Sequence, residues 1–120
     1  IRFFYFFMSE EDCLPNSEQF DIIVSNPPYV SNSEKQQMRP NVLNFEPQLA
    51  LFVDDTNPLC FYSAIARLAV AKLTVGGSVY CEINEQFGKE TVHLFESYGL
   101  RECEIVKDIF GKDRIVTAKR

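Results

Sequence analysis

The order of apolar runs and helical periods along these 120 residues predicts an α/β fold, the second half of a doubly wound, mainly parallel sheet that closes with a terminal antiparallel hairpin. Three observations predict it. Strand-like runs alternate with helix-like periods, which implies right-handed crossovers between parallel strands. The last two β-rich runs are separated only by a short polar turn, which implies a hairpin at the sheet edge. One interior strand stops abruptly at consecutive prolines, at the carboxyl end of the sheet, where folds of this class bind ligands.

Taken in order, residues 1–7 form a short, continuous aromatic run that fits a strand buried on both faces. Residues 9–17, acidic and containing Pro15, read as a loop. Residues 20–24 are a second apolar run, and the strand ends at Ser25 because Pro27 and Pro28 cannot donate to a ladder and restrict the residue before them. Residues 30–47 are polar, with only 33–38 able to form a turn of helix before Pro40, a long excursion of the kind that carries function. Asn57 followed by Pro58 is a helix-start signal, and Leu59, Tyr62, Ile65, Ala66, Leu68, Ala69 and Leu73 then recur at helical spacing, so a helix is expected over 58–73. Gly76 and Gly77 are expected to end it and lead into a strand at 78–83. An amphipathic helix follows over 87–98, stopped by Gly99, and strands at 102–106 and 115–118 flank a turn containing Gly111.

Composition narrows the function classes. With 46% hydrophobic and 24% charged residues the chain is an ordinary globular one of single-domain size. Twelve Lys and Arg against seventeen Asp and Glu give a net charge of −5, which disfavours direct nucleic-acid binding. Cys13, Cys60, Cys81 and Cys103 form no CxxC pair, and His93 is the single histidine, so no metal site is expected and the thiols read as free in a reducing cytoplasm. No apolar run approaches the ~20 residues that cross a bilayer, and no leader pattern surrounds residues 1–7, so no membrane partner is expected. The start at Ile1, directly in strand-like residues, suggests a piece cut from a longer chain.

The stretch that carries chemistry is Phe20, Asp21, Ile22, Ile23, Val24, Ser25, Asn26, Pro27, Pro28, Tyr29. It delivers one amide side chain, two rigid rings and one aromatic ring to a single turn. A carboxamide offers one acceptor and two donors in a plane, which suits a planar nitrogen nucleophile such as another carboxamide or an exocyclic base amine. The Pro27 carbonyl supplies a second acceptor, and Tyr29 can pack over a flat group. A plain strand-ending turn capped by Asn26 is the alternative.

Asn26, Pro27, Pro28 and Tyr29 resemble the Asn-Pro-Pro-Tyr signature of S-adenosylmethionine-dependent amino methyltransferases. Over roughly 12–120 the chain resembles the HemK-like peptide chain release factor glutamine methyltransferases. Asn44 to Leu51 is similar to that family's Glu-Pro, Ala-Leu element, Phe61 and Tyr62 to its following helix, Gly76, Gly77 and Glu82 to its next strand, and Lys107, Asp108, Gly111, Asp113 and Arg114 to its final hairpin. The resemblance implies a Rossmann-like methyltransferase sheet and methyl transfer from S-adenosyl-L-methionine to the glutamine amide of the Gly-Gly-Gln loop in release factors. It implies Asn26 and Pro27 as catalytic residues, Asn26, Pro27, Pro28 and Tyr29 as substrate-binding, and Asp12, Cys13 and Asn26 as cofactor-binding, with Glu10 or Glu11 as substitutes for Asp12. Family members also carry an amino-terminal helical domain and a glycine-rich cofactor loop. No G-x-G occurs here, so residues 1–120 are expected to be a partial catalytic domain, inactive alone and able to self-associate through an uncovered edge. The other readings are an amino methyltransferase acting on adenine or guanine in nucleic acid, and an inactive piece that only self-associates.

Among the remaining polar residues, Glu46 is expected to brace the signature turn and Glu82 to accept a supporting hydrogen bond. Asp113 and Arg114 are expected to pair with each other and close the hairpin, and His93 to lie at the surface. Asn57, where the family commonly has Gly, and the run Asn84, Glu85, Gln86, Phe87, Gly88 depart from the family pattern.

Overall fold

The computed structural model of the chain describes residues 18–27, 30–31, 52–53 and 57–120. The strand expected at 1–7, the loop at 9–17 and the turn of helix at 33–38 lie outside the described residues. The elements run β1 (Phe20–Ser25), β2 (Val30–Ser31), β3 (Phe52–Val53), α1 (Cys60–Lys72), β4 (Leu73–Glu82), a 3-10 turn (Glu85–Phe87), α2 (Gly88–Ser97), β5 (Arg101–Lys107) and β6 (Asp113–Lys119). Four strands form one sheet in the order β1-β4-β6-β5. β1 and β4 are parallel, whereas β6 runs antiparallel to both β4 and β5, so the described sheet is mixed. The expected terminal hairpin is present, with its second strand inserted between β4 and β5.

β1 begins and ends where its apolar run does, and Asn26 and Pro27 follow it immediately. α1 is the expected helix, but it starts at Cys60 without a side-chain cap. Asn57 contributes its backbone instead, its carbonyl accepting from the Cys60 amide at 3.2 Å. The glycine pair is not a helix stop either. Leu73 is already extended, and β4 runs through Gly76 and Gly77 to Glu82. Between the pairs Phe20↔Leu73 and Ile22↔Ser78 two steps of β1 face five of β4, so residues 74–77 bulge out of the ladder.

Gly77 is required at that bulge by close approach. A Cβ there would lie 2.9 Å from the Thr74 carbonyl oxygen and 3.0 Å from that of Asp21, and backbone oxygens cannot swing aside. Gly77→Ala is therefore expected to cost about 1–3 kcal/mol by forcing β1 away from the bulge. Urea unfolding with an unchanged slope and a lowered midpoint is the expected result, and an unchanged midpoint would refute the close-approach account.

Both helices pack on one face of the sheet. α1 contributes Tyr62, Ile65, Ala66 and Ala69, α2 contributes Phe95, and the strands answer with Val79, Cys81, Val116 and Ala118. α2 buries Gly88, Thr91 and Phe95, one stripe at helical spacing. Gly99, at φ 93°, stops it as expected, and the Leu100 amide donates back to the Phe95 carbonyl at 3.2 Å to complete a Schellman motif. The opposite face carries the exposed apolar side chains Ile22, Val24, Tyr80 and Val106.

Two short strands had no counterpart in the sequence reading. Val30–Ser31 pairs in parallel with Phe52–Val53, so the polar excursion after the signature turn begins and returns through a small second sheet.

Candidate functional site

The register places the carboxyl end of the parallel strands without ambiguity. Ser25 faces Cys81, Glu82 faces Ile115, and Ile115 faces Val106. Two adjacent rows thus join the carboxyl ends of β1, β4 and β5 to the first half of β6. Just beyond them lie Asn26 and Pro27, the turn after β4, and the hairpin tip at 108–112.

Asn26 is exposed while Pro27 directly after it is buried. The turn therefore anchors its first proline ring in the protein and presents the carboxamide to solvent, on the end of a strand held by its parallel partner. Pro28 and Tyr29 of the signature lie outside the described residues, as do Asp12, Cys13, Glu10, Glu11 and Glu46.

The neighbouring turn is built by Asn84, which is buried. Its side-chain oxygen accepts from the Gln86 amide at 3.0 Å and starts the 3-10 turn, and its own amide donates to the buried Tyr62 hydroxyl at 3.0 Å. The sequence signal was present: an Asn before a short polar run is an Asx-type turn former. Tyr62 thereby ties α1 to the carboxyl end of β4. Glu82 is half-buried at that end and His93 is exposed on α2, 3.7 Å from Glu96.

At the third corner the expected Asp113–Arg114 pair does not form. Adjacent strand residues point to opposite faces, so each finds a partner across the hairpin. Arg114 donates to Asp108 through Nε at 3.2 Å and Nη2 at 3.0 Å, and Lys107 pairs with Asp113 at 2.6 Å. Asp108 also accepts the Phe110 and Lys112 amides at 2.8 and 3.1 Å. Its carboxyl is held below the ordinary carboxylate range, first by the Lys112 amide, against some burial, and then by the Arg114 guanidinium and the Phe110 amide. A lowered folded value means that this stabilisation is present above the unfolded carboxylate pKa and is lost as pH falls through the folded one. Asp108→Asn is expected to lower the melting temperature by roughly a few degrees at neutral pH, with the gap closing on acidification. A gap that stays constant in acid would mean that the carboxylate charge does not hold the turn.

Cys81 and Cys103 are not nucleophiles poised for reaction. Burial, with Glu82 adding, pushes the Cys81 thiol far up, and burial, with Glu96 adding, raises that of Cys103. A shallow depression of about 160 Å³ between Ser78, Tyr80, Glu102, Glu104, Thr117 and Lys119 lies toward the opposite end of the sheet, bridged by the Lys119–Glu102 pair, and takes no part in the turn cluster. Among the described residues no helix is long and apolar enough to cross a membrane.

No protein-family model matches the chain. Individual proteins do. The chain is 52% identical over 101 residues to the release factor glutamine methyltransferase of Bacteroides thetaiotaomicron, a match covering 84% of this chain and 36% of that protein. The chain is homologous to part of the release factor glutamine methyltransferases. The Flavobacterium psychrophilum release factor glutamine methyltransferase is 51% identical over 100 residues, 83% of this chain and 35% of that protein. In three dimensions the chain is similar to the protein-(glutamine-N5) methyltransferase (release factor-specific) of Alicyclobacillus acidocaldarius, with a TM-score of 0.53, 26% identity, and coverage of 85% of this chain and 49% of the other. The chain thus spans a little over a third of the length of the Bacteroides and Flavobacterium proteins and about half of the solved structure, and the α/β sheet described above is similar to part of that methyltransferase's fold.

Proposed function

We propose that these residues form the carboxyl-terminal part of the catalytic domain of an S-adenosylmethionine-dependent methyltransferase that modifies the side-chain amide nitrogen of a protein glutamine. The substrate in this reading is a peptide chain release factor, methylated in its Gly-Gly-Gln loop. The observation that carries it is the solvent-presented carboxamide of Asn26 on a rigid strand end, in a chain half identical to release factor glutamine methyltransferases over 84% of its length.

S-adenosylmethionine, when bound, supplies a methyl group on a positively charged sulfur. Among the described residues Asn26 fits such a site, an exposed polar side chain at the carboxyl end of a parallel strand. Asp12 and Cys13 are assigned to the cofactor on sequence grounds. The chain's own contribution is to hold the acceptor. A glutamine amide nitrogen is a poor nucleophile because its lone pair is delocalised, so it must be oriented and its N–H groups must find acceptors. Asn26 Oδ1 and the Pro27 carbonyl accept hydrogen bonds from those two N–H groups, and Pro28 and Tyr29 are assigned to the substrate on sequence grounds. Free Cys81 and Cys103 suit a reducing, cytoplasmic setting.

The test supplies the complete enzyme with methyl-labelled S-adenosylmethionine and offers release factor, ribosomes and DNA side by side. Label in the release factor glutamine is the expected result. Label in DNA alone would install the base-amine reading, which the net charge of −5 disfavours, and label in none of the three would overturn the methyl-transfer reading.

A further inference from the structure

At the end of the sheet that carries Asn26, the β5–β6 turn presents two large apolar side chains to water: Ile109 is 93% exposed and Phe110 81%. The turn holding them is tightly built. The Asp108 amide donates to the Lys112 carbonyl at 2.9 Å and the Gly111 amide to the Asp108 carbonyl at 3.0 Å. The Asp108 side chain accepts from the Phe110 and Lys112 amides and from Arg114. Lys112 reaches Glu85 at 3.4 Å, fastening the tip to the turn after β4. Five residues fixed by that many hydrogen bonds have little conformational freedom left to lose, and an adjacent Ile and Phe on such a frame are what a protein contact uses as anchors.

We infer that Ile109 and Phe110 dock the body of the protein substrate, on an apolar surface flanking the methylated glutamine. The inference rests on the methyl-transfer reading above and adds to it a specificity-determining contact. Distance selects this occupant. β6 and β5 lie two and three places from β1 in the sheet, which at ~4.8 Å per strand puts the tip ~10–14 Å to the side of Asn26. A protein partner buries about 800 Å² on each side, a patch of ~16 Å radius if centred on the reacting group. A folded substrate inserting its glutamine beside Asn26 therefore covers the tip, whereas a short peptide seated in the turn does not reach it.

The experiment compares the complete enzyme with its Ile109→Ser/Phe110→Ser variant on two substrates, intact release factor and a short peptide containing the same glutamine. The expected result is a KM for release factor raised about tenfold or more, kcat within about twofold, and unchanged turnover of the peptide. Cofactor affinity and melting temperature stay unchanged, because neither side chain is buried. Ile109→Leu/Phe110→Leu restores most of the release factor KM. An unchanged KM for release factor overturns the inference, and so does an equal loss on protein and peptide, which would mark the tip as structural. Failure of the unaltered enzyme to label release factor at all is a different outcome, and it overturns the methyl-transfer reading itself.

Discussion

Asn26→Ala in the complete enzyme is expected to lower kcat on release factor by ~100-fold or more, with cofactor affinity little changed. The size follows from what the side chain does in the proposed site. Its oxygen accepts an N–H whose hydrogen becomes more acidic as the C–N bond forms, so the bond strengthens toward the transition state, and loss of one such preorganised group costs about 10²–10³ in kcat. The structure separates this from a folding defect, because Asn26 is exposed and its truncation removes no core contact. A purely structural Asn that capped a turn would give the reverse pattern, a loss of ~1 kcal/mol in stability and full turnover per folded molecule. Asn26→Asp keeps an acceptor of the same size and is expected to retain more activity than Asn26→Ala. If the two variants were equally inactive, the acceptor role would be wrong; if Asn26→Ala kept full turnover, the site would lie elsewhere.

The parts of this fold that were legible in the sequence are those with a local stop signal. β1 could be bounded because Pro27 and Pro28 forbid its continuation, α2 because Gly99 supplies the positive φ its terminus needs, and β5 and β6 because their β-rich runs flank a short polar turn. What was misread depends on distant partners. Gly76 and Gly77 look like a helix stop by composition, yet Gly77 is set by the Thr74 carbonyl of its own bulge and the Asp21 carbonyl that approaches from another strand. The pairing of Val30–Ser31 with Phe52–Val53 joins two-residue strands across twenty intervening positions, too short for any periodicity to register. Adjacency in sequence suggests that Arg114 pairs with Asp113, whereas the alternation of strand side chains sends it to Asp108. In the candidate site the place of Asn26, exposed directly after β1, is legible through the prolines that follow it. Asn84 was noted only as a departure from a pattern, since its Tyr62 partner is 22 residues away.

Phe95→Ala is expected to be among the most damaging single truncations in the described core, at about 3–5 kcal/mol. Phe95 is 0% exposed, and its ring belongs to the cluster that joins α2 to Val116 and Ala118 of β6 and to Leu100 at the entrance of β5. Its carbonyl also receives the Leu100 amide that closes the helix, so the side chain and the cap secure the same corner. Native domains hold only about 5–15 kcal/mol in total, so this loss removes a large fraction of the margin. Surrounding strands hydrogen-bonded on both sides cannot collapse into the space, which keeps the cost in the upper part of the range for a large-to-small change. Chemical unfolding checks the value: the midpoint drops and the slope is retained, and a loss below ~1 kcal/mol would show that the corner repacks. The functional consequence is opposite to that of Asn26→Ala. Arg101 faces Lys119 and Lys119 in turn stands beside Ser78, so the Phe95–Leu100 corner sits at the end of the sheet away from Asn26. Turnover per folded molecule is therefore expected to survive Phe95→Ala while the folded population shrinks, and a fall in kcat at a temperature where the variant is fully folded would mean that the two ends of the sheet are coupled.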